Sequence, residues 1–299
     1  MPFFFPDTPD LPLPPGHRFP ATKYRMLRER ARAEGIFASA GLLPSPLATR
    51  GNLLLAHGAA YVDAMIAGEV DAEAMRRIGV PWSTVLVERS LATVGGSIAA
   101  ARAALRDGIS GQLAGGTHHA HRDFGSGYCV FNDLAVAALA VLGEAGIARI
   151  TILDLDVHQG DGTAALFAGE PRVQTISIHG EKNFPFRKYP SDLDIALPDG
   201  TGDIAYLSAL DRALGAVAAF GPDLLFYLSG ADALACDRLG RLDLSHSGLT
   251  ARDATVLRFA WVQRIPVAIA IGGGYGEPID ETVEAYLGTF RTAREIYGF

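Results

Sequence analysis

Asp154, Asp156 and His158 alternate along the segment DLDVH. If the chain is extended there, period-two geometry points all three side chains to one side. Three ionisable groups at the end of a buried strand are costly unless something compensates them, and a cation is the natural partner. Asp232, at the end of a second apolar run, offers a further carboxylate. Two carboxylates and an imidazole form a borderline-hard donor set that suits Zn²⁺ or Fe²⁺. Three protein ligands leave one position open for water, as in catalytic rather than structural sites. A single Asp after a strand is more often a helix cap or turn residue, and Asp161, in GDGT before a helical stretch, can be read as only that. The DxDxH spacing joined to a second strand-end Asp favours metal binding.

Two further groups could serve such a site. His118 and His119 are adjacent, with His121 close behind, in GGTHHAHRDFGSGYCVFND. Tandem histidines in a loop are usually solvated, but a water-activating site needs a proton acceptor that later donates, and imidazole does both near neutral pH. Gly115, Gly116, Gly125 and Gly127 permit tight turns and close approach to a ligand. Tyr275 sits in GGGYG, where a glycine loop could present its hydroxyl to a developing oxyanion. The plain alternative is a tyrosine packed on a glycine turn.

These clusters need a scaffold. Short apolar runs at 149–155, 173–178, 223–228 and 266–271 alternate with helical stretches at 132–143, 162–167, 204–220 and 251–262. Continuous apolar strands separated by helices predict a parallel sheet covered on both faces. Each run ends in a polar or glycine cluster, and a fifth cluster follows the short run 112–114, so all five should meet on the carboxyl rim of the sheet. Residues 23–34 read as a charged helix stopped by Gly35. Residues 81–106 read as a long helix capped by Ser83 and weakened by Gly95 and Gly96. The proline-rich residues 1–20 are expected to run extended over the surface. No repeat or linker divides the 299 residues, so one α/β domain is expected.

Composition narrows the function classes. The chain is 49% hydrophobic and 20% charged, which excludes a disordered protein. Thirty-three acidic against twenty-six basic residues give a net charge of −7, which argues against direct nucleic-acid binding. Cys129 and Cys236 form neither a disulfide framework nor a CxxC pair, so a reducing compartment is expected. The N-terminus, MPFFFPDTPDLPLPP, lacks the basic region of a signal peptide. No apolar run approaches the length of about eighteen residues that a membrane span needs, and a soluble cytoplasmic protein is expected.

The blocks GGTHHA, GYCVFND, DLDVHQGDG, SIH, SGAD and GGGYG, in this order, resemble the zinc-dependent histone deacetylase family, and the HRFP opening is closest to its class IV and bacterial members. The resemblance runs from HRFPATKYRML to about Tyr275. It implies the arginase/deacetylase fold, a single α/β domain around a mainly parallel eight-stranded sheet. It also implies metal ligation by Asp156, His158 and Asp232, with zinc or iron as the ion. His118 and His119 match the paired histidines, His119 as general base and acid, and Asp154 and Asp161 match the carboxylates that orient them. Tyr275 matches the carbonyl-polarising tyrosine. Asp154, Asp156, His158, Ser177 and Ile178 match a structural potassium site. Gly127, Tyr128, Phe184 and Gly273 fall at the acyl-lysine tunnel, with Tyr128 where phenylalanine is usual. Gln159 stands where a second histidine is common, and EKNFPF does not reproduce the family's FxPG loop. SGADALACD lacks the clustered aspartates of a two-metal ureohydrolase. The implied activity is hydrolysis of the amide of an acylated lysine. The alternatives are an amidohydrolase of small acylated amines such as acetylpolyamines, and a non-catalytic acyl-lysine-binding scaffold. Nothing in the chain fixes the acyl length or an oligomeric state.

Overall fold

Eight short strands carry the architecture, all of them parallel: β1 Phe3–Phe5, β2 Leu42–Pro44, β3 Ile109–Gln112, β4 Ile150–Asp154, β5 Val173–Gly180, β6 Leu193–Leu197, β7 Leu224–Leu228 and β8 Val267–Ala270. The computed structural model describes residues 1–38, 41–144 and 146–299. The strands form one sheet in the order β2-β1-β3-β8-β7-β4-β5-β6. Alternation along each strand divides the core in two. Leu153, Ile176, Leu225, Tyr227, Val267 and Ile269 face the helices Lys23–Ala33, Asp203–Phe220, His246–Gln263 and Ile279–Tyr297. Ile150, Ile152, Leu224, Phe226 and Ala268 face Thr84–Asp107 and Asp133–Val141 on the opposite side. Strands buried on both faces explain the unbroken apolar runs in the sequence.

The N-terminal expectation is corrected. Residues 1–20 do not lie wholly on the surface, because Phe3–Phe5 is a buried strand inserted between β2 and β3. Phe3 packs edge-on against Phe290 and close to Phe37 and Phe299, so four aromatic rings cluster at this end of the sheet. The long helix forms with Ser83 as its cap, its hydroxyl accepting from the Leu86 amide at 3.1 Å. Its glycines are spacers rather than defects. A Cβ at Gly95 would lie 1.9 Å from the Pro46 carbonyl, and one at Gly96 would lie 2.5 Å from the Gln112 and Ser45 side chains. The chain passes there because those positions are bare.

Four neighbouring strands, β3, β8, β7 and β4, release their carboxyl-end loops side by side. Buried polar contacts fix each loop. Arg252 and Asp253 form a buried ion pair at 2.8 Å, and the guanidinium donates to the Gly230 carbonyl at 2.6 Å, holding the loop after β7. Asp133 accepts from the Thr117 and Gly116 amides at 2.7 and 3.2 Å, anchoring the loop after β3. His57 donates from Nδ1 to the His121 carbonyl and accepts at Nε2 from the Asn132 amide, both at 2.9 Å. Among the described residues no helix is long and apolar enough to cross a membrane.

The buried His57 bridge works only with a neutral ring. Burial lowers its pKa from 6.5 to about 4, against weaker support from the His121 carbonyl. Between those values the unfolded chain binds a proton that the folded protein refuses, so stability falls as pH drops from 6.5 towards 4. The loss from this ring is up to about 3 kcal/mol. Denaturant unfolding at pH 7 and near pH 4 should show a larger loss for the native chain than for His57→Gln, which is already weaker at pH 7.

Candidate active site

β4 ends at Asp154, so Asp156 and His158 lie in the loop beyond it, and the extended geometry considered for DLDVH does not carry through them. The alternation is replaced by side-chain bonds to the backbone. Asp154 accepts from the Asp156 amide at 3.1 Å, Asp156 from the His158 amide at 3.0 Å, and Asp232 from the Val157 amide at 2.9 Å. The same turn aims the three side chains differently: Asp154 faces His118, while Asp156 and His158 face Asp232.

Asp156, His158 and Asp232 are buried, and one ligand atom from each lies within 4.8 Å of the others. His158 Nδ1 is 3.0 Å from both Asp156 Oδ1 and Asp232 Oδ2. One N–H cannot serve two carboxylates fully. Burial, and after it the Asp156 carboxylate, raise Asp232 to about 7. Burial alone would lower His158, but its bonds to Asp156 and Asp232 hold it up at about 10. The cluster therefore demands positive charge. A small divalent cation fits the donor set and its spacing. Gly273 fits it as well: a Cβ there would meet Asp232 Oδ2 at 2.0 Å and Asp156 Oδ2 at 2.7 Å, and its amide donates to Asp156 at 2.5 Å.

The tandem histidine rings lie 4.1 Å apart between centres, tilted at 49°, and are buried, not solvated. His118 donates from Nδ1 to Asp154 at 2.6 Å, and His119 from Nδ1 to Asp161 at 2.7 Å. Asp161 also bonds His121 at 3.0 Å. It is not a helix cap, since Gly160 holds that position without a side-chain bond. Burial, opposed and outweighed by Asp154 and Asp156, leaves His118 at about 9, whereas burial and the neighbouring His118 lower His119 to about 4. Tyr275 is raised well above its usual value by burial, then by Asp156, so its hydroxyl stays a donor. Its ring centre lies 6.4 Å from His158 and 5.9 Å from Tyr128.

A cavity of about 570 Å³ opens above these groups, lined by His119, Gly127, Tyr128, His158, Phe184 and Tyr275. Phe184 lies 4.8 Å from the His119 ring in edge-on contact. Gly127 and Tyr128 both have positive φ, and the Tyr128 amide donates to Ile78. A narrower recess continues inward past His118, Gly273 and Thr117 to Lys23, Tyr24 and Arg89. Ser177 pairs in register with Asp154, so the five residues expected around potassium fall at the adjoining ends of β4 and β5.

Four positioning residues, Lys23, Tyr286, Asp133 and His57, are not among those singled out from the sequence. Lys23 is buried and donates to the Gly274 carbonyl at 3.0 Å and the Tyr286 hydroxyl at 3.1 Å. Tyr286 in turn donates to the Gly272 and Gly273 carbonyls, clamping the turn that presents Tyr275. Only the spacing of Lys23 with Leu27 and Ala31, on one buried helix stripe, signalled it. Asp133 and His57 carried no local signal, because their partners lie far off in sequence.

The histone deacetylase domain profile matches residues 17–289. An uncharacterized protein of Picosynechococcus sp. is 42% identical over 287 residues, 96% of each chain. A histone deacetylase-like amidohydrolase of Pseudomonas aeruginosa is 31% identical, covering 82% of this chain and 68% of its own. Histone deacetylase 2 of Arabidopsis thaliana is 29% identical, covering 87% and 70% respectively. The crystal structure of the HDA15 HD domain superposes with a TM-score of 0.81 at 21% identity, covering 99% of this chain and 88% of that one, a likeness of fold. With its profile spanning most of the sequence, the chain belongs to the histone deacetylase family and is a hydrolase of the deacetylase and amidohydrolase kind.

Proposed function

We propose that this chain, acting as one catalytic domain, hydrolyses the amide of an N-acylated lysine, with zinc held by Asp156, His158 and Asp232. The observation that carries the reading is a channel whose inner end brings His119 and Tyr275 together beside that buried cluster. Iron is the alternative ion for the same donors. A bound divalent cation supplies Lewis acidity, polarising a carbonyl and lowering the pKa of water, in a reference zinc site from about 15.7 to about 7.

The chain's own residues then have separate tasks. His119, with Nδ1 committed to Asp161, keeps Nε2 to accept a proton from water and later deliver it to the leaving amine. His118 is held by Asp154 next to it and balances the buried Asp156 carboxylate. Tyr275 keeps its phenolic proton and donates a hydrogen bond to the developing oxyanion. Gly127, Tyr128 and Phe184 enclose the aliphatic stem, and Gly273 leaves room for the acyl group. Asp154, Asp156, His158, Ser177 and Ile178 are proposed to hold a structural potassium ion, a reading supported by the Asp154–Ser177 register. A non-catalytic acyl-lysine-binding scaffold would have no need of a protonated phenol and an oriented histidine at the channel's end.

Turnover of an acyl-lysine peptide, followed by chromatography of product, should be abolished by a chelator and restored by zinc. Tyr275→Phe should lower kcat on the order of a hundredfold or more while elemental analysis finds the metal retained. Asp232→Ala should lose metal and activity together, and full metal occupancy in that variant would remove Asp232 from the ligand set.

A further inference from the structure

The mouth of the channel is charged in a way that the whole molecule is not. The chain carries a net −7, yet Arg18, Arg77, Lys182 and Arg241 line the outer cavity and none of its lining residues is an aspartate or glutamate. All four are exposed. Arg18 belongs to the segment that His17 fastens to Gly79 at 3.0 Å and that Phe19 packs against Tyr128 at 5.2 Å. Arg77 lies over the Phe124 ring and meets only the exposed Glu73, at 3.9 Å. Lys182 and Arg241 share one carboxylate, Asp199, at 3.7 and 3.2 Å. A fifth cation, Arg238, donates from Nε to the Tyr275 carbonyl and is paired with Glu277 at 3.8 Å.

We infer that this rim selects an acylated lysine set in an acidic stretch of peptide over the same acyl group carried on a polycation. The inference rests on the deacylase reading and names its substrate class. Two fields compete over an approaching peptide. The overall acidic charge repels anions, but at about 0.1 M salt it is screened beyond about 10 Å. The rim cations lie within that distance of the entering chain, so the local field decides. An acetylpolyamine or a lysine-rich tail would have to place its ammonium groups among four cations whose neighbouring carboxylates, Asp199 and Glu73, are already paired with them. Acidic side chains flanking the acyl-lysine meet guanidinium groups, which bind carboxylates in bidentate geometry. Phe186, 89% exposed at the same mouth, adds an apolar surface for the peptide beside the charges.

The test uses acyl-lysine peptides of equal length whose flanking residues are acidic, neutral or basic, with N-acetylspermidine as a fourth substrate. At about 50 mM salt, kcat/KM should favour the acidic over the basic peptide on the order of tenfold or more, chiefly through KM, and the ratio should collapse near 500 mM. Arg18→Glu and Arg241→Glu should each reduce or invert the ratio. Equal rates, a basic preference, or better turnover of N-acetylspermidine would overturn the inference while leaving the deacylase reading intact. Peptide affinity to Tyr275→Phe by fluorescence anisotropy needs no turnover. The same ranking there without hydrolysis by the native chain would uphold the rim and sink the deacylase reading.

Discussion

The energetic crux of the molecule is the burial of Asp156 and Asp232 against one imidazole at the junction of the β4 and β7 loops. A carboxylate taken out of water costs several kcal/mol unless its charge is met, and two side by side cost more. The backbone meets part of this cost through the Val157, His158 and Gly273 amides. Amide dipoles cannot neutralise a net charge, so the remainder falls to His158, and the donor set is one that a divalent cation would complete. The surrounding fold can be understood as the apparatus that keeps this cluster from relaxing apart. It shares three anchors with the polar residues around it, and none of them lines the outer cavity.

Each anchor replaces flexibility with a buried bond. The Arg252–Asp253 pair grips Gly230, two residues before Asp232. Lys23 and Tyr286 hold three successive glycine carbonyls, which lets GGGYG be both bare enough to approach the carboxylates and stiff enough to aim Tyr275. His57 and Asp133 fix the two ends of the histidine loop. Glycine supplies approach and long-range polar contacts supply rigidity. Either alone would leave the site misplaced or mobile.

How much of this could be read from the chain follows from the range of each contact. DLDVH, the strand-end Asp232 and the glycine-flanked Tyr275 were legible because their meaning lies in spacing and residue type, and the motif resemblance added their partners. The expected strand through Leu155 stops one residue early, since side-chain bonds to the backbone take over at Asp154. β1 was missed because three phenylalanines between prolines show no period, and only the aromatic cluster around Phe290 makes them a strand. β6 was missed although LDIAL alternates, with Ile195 and Leu197 buried and their neighbours exposed. Lys23 bonds a carbonyl 251 residues away, and no local pattern can announce that.

The paired histidines show the same principle acting on chemistry. Their side chains are adjacent and in contact, yet each is tied to a different carboxylate on a different part of the β4 loop. His118 faces Asp154 and Asp156, which favour its charged form, while His119 lies next to that charge and so disfavours its own. Of the two, only His119 lines the outer cavity. The ring that reaches the channel is therefore the one whose surroundings favour its neutral form, while those of its partner favour the charged form. Two identical side chains acquire two roles from the carboxylates that the loop assigns to them.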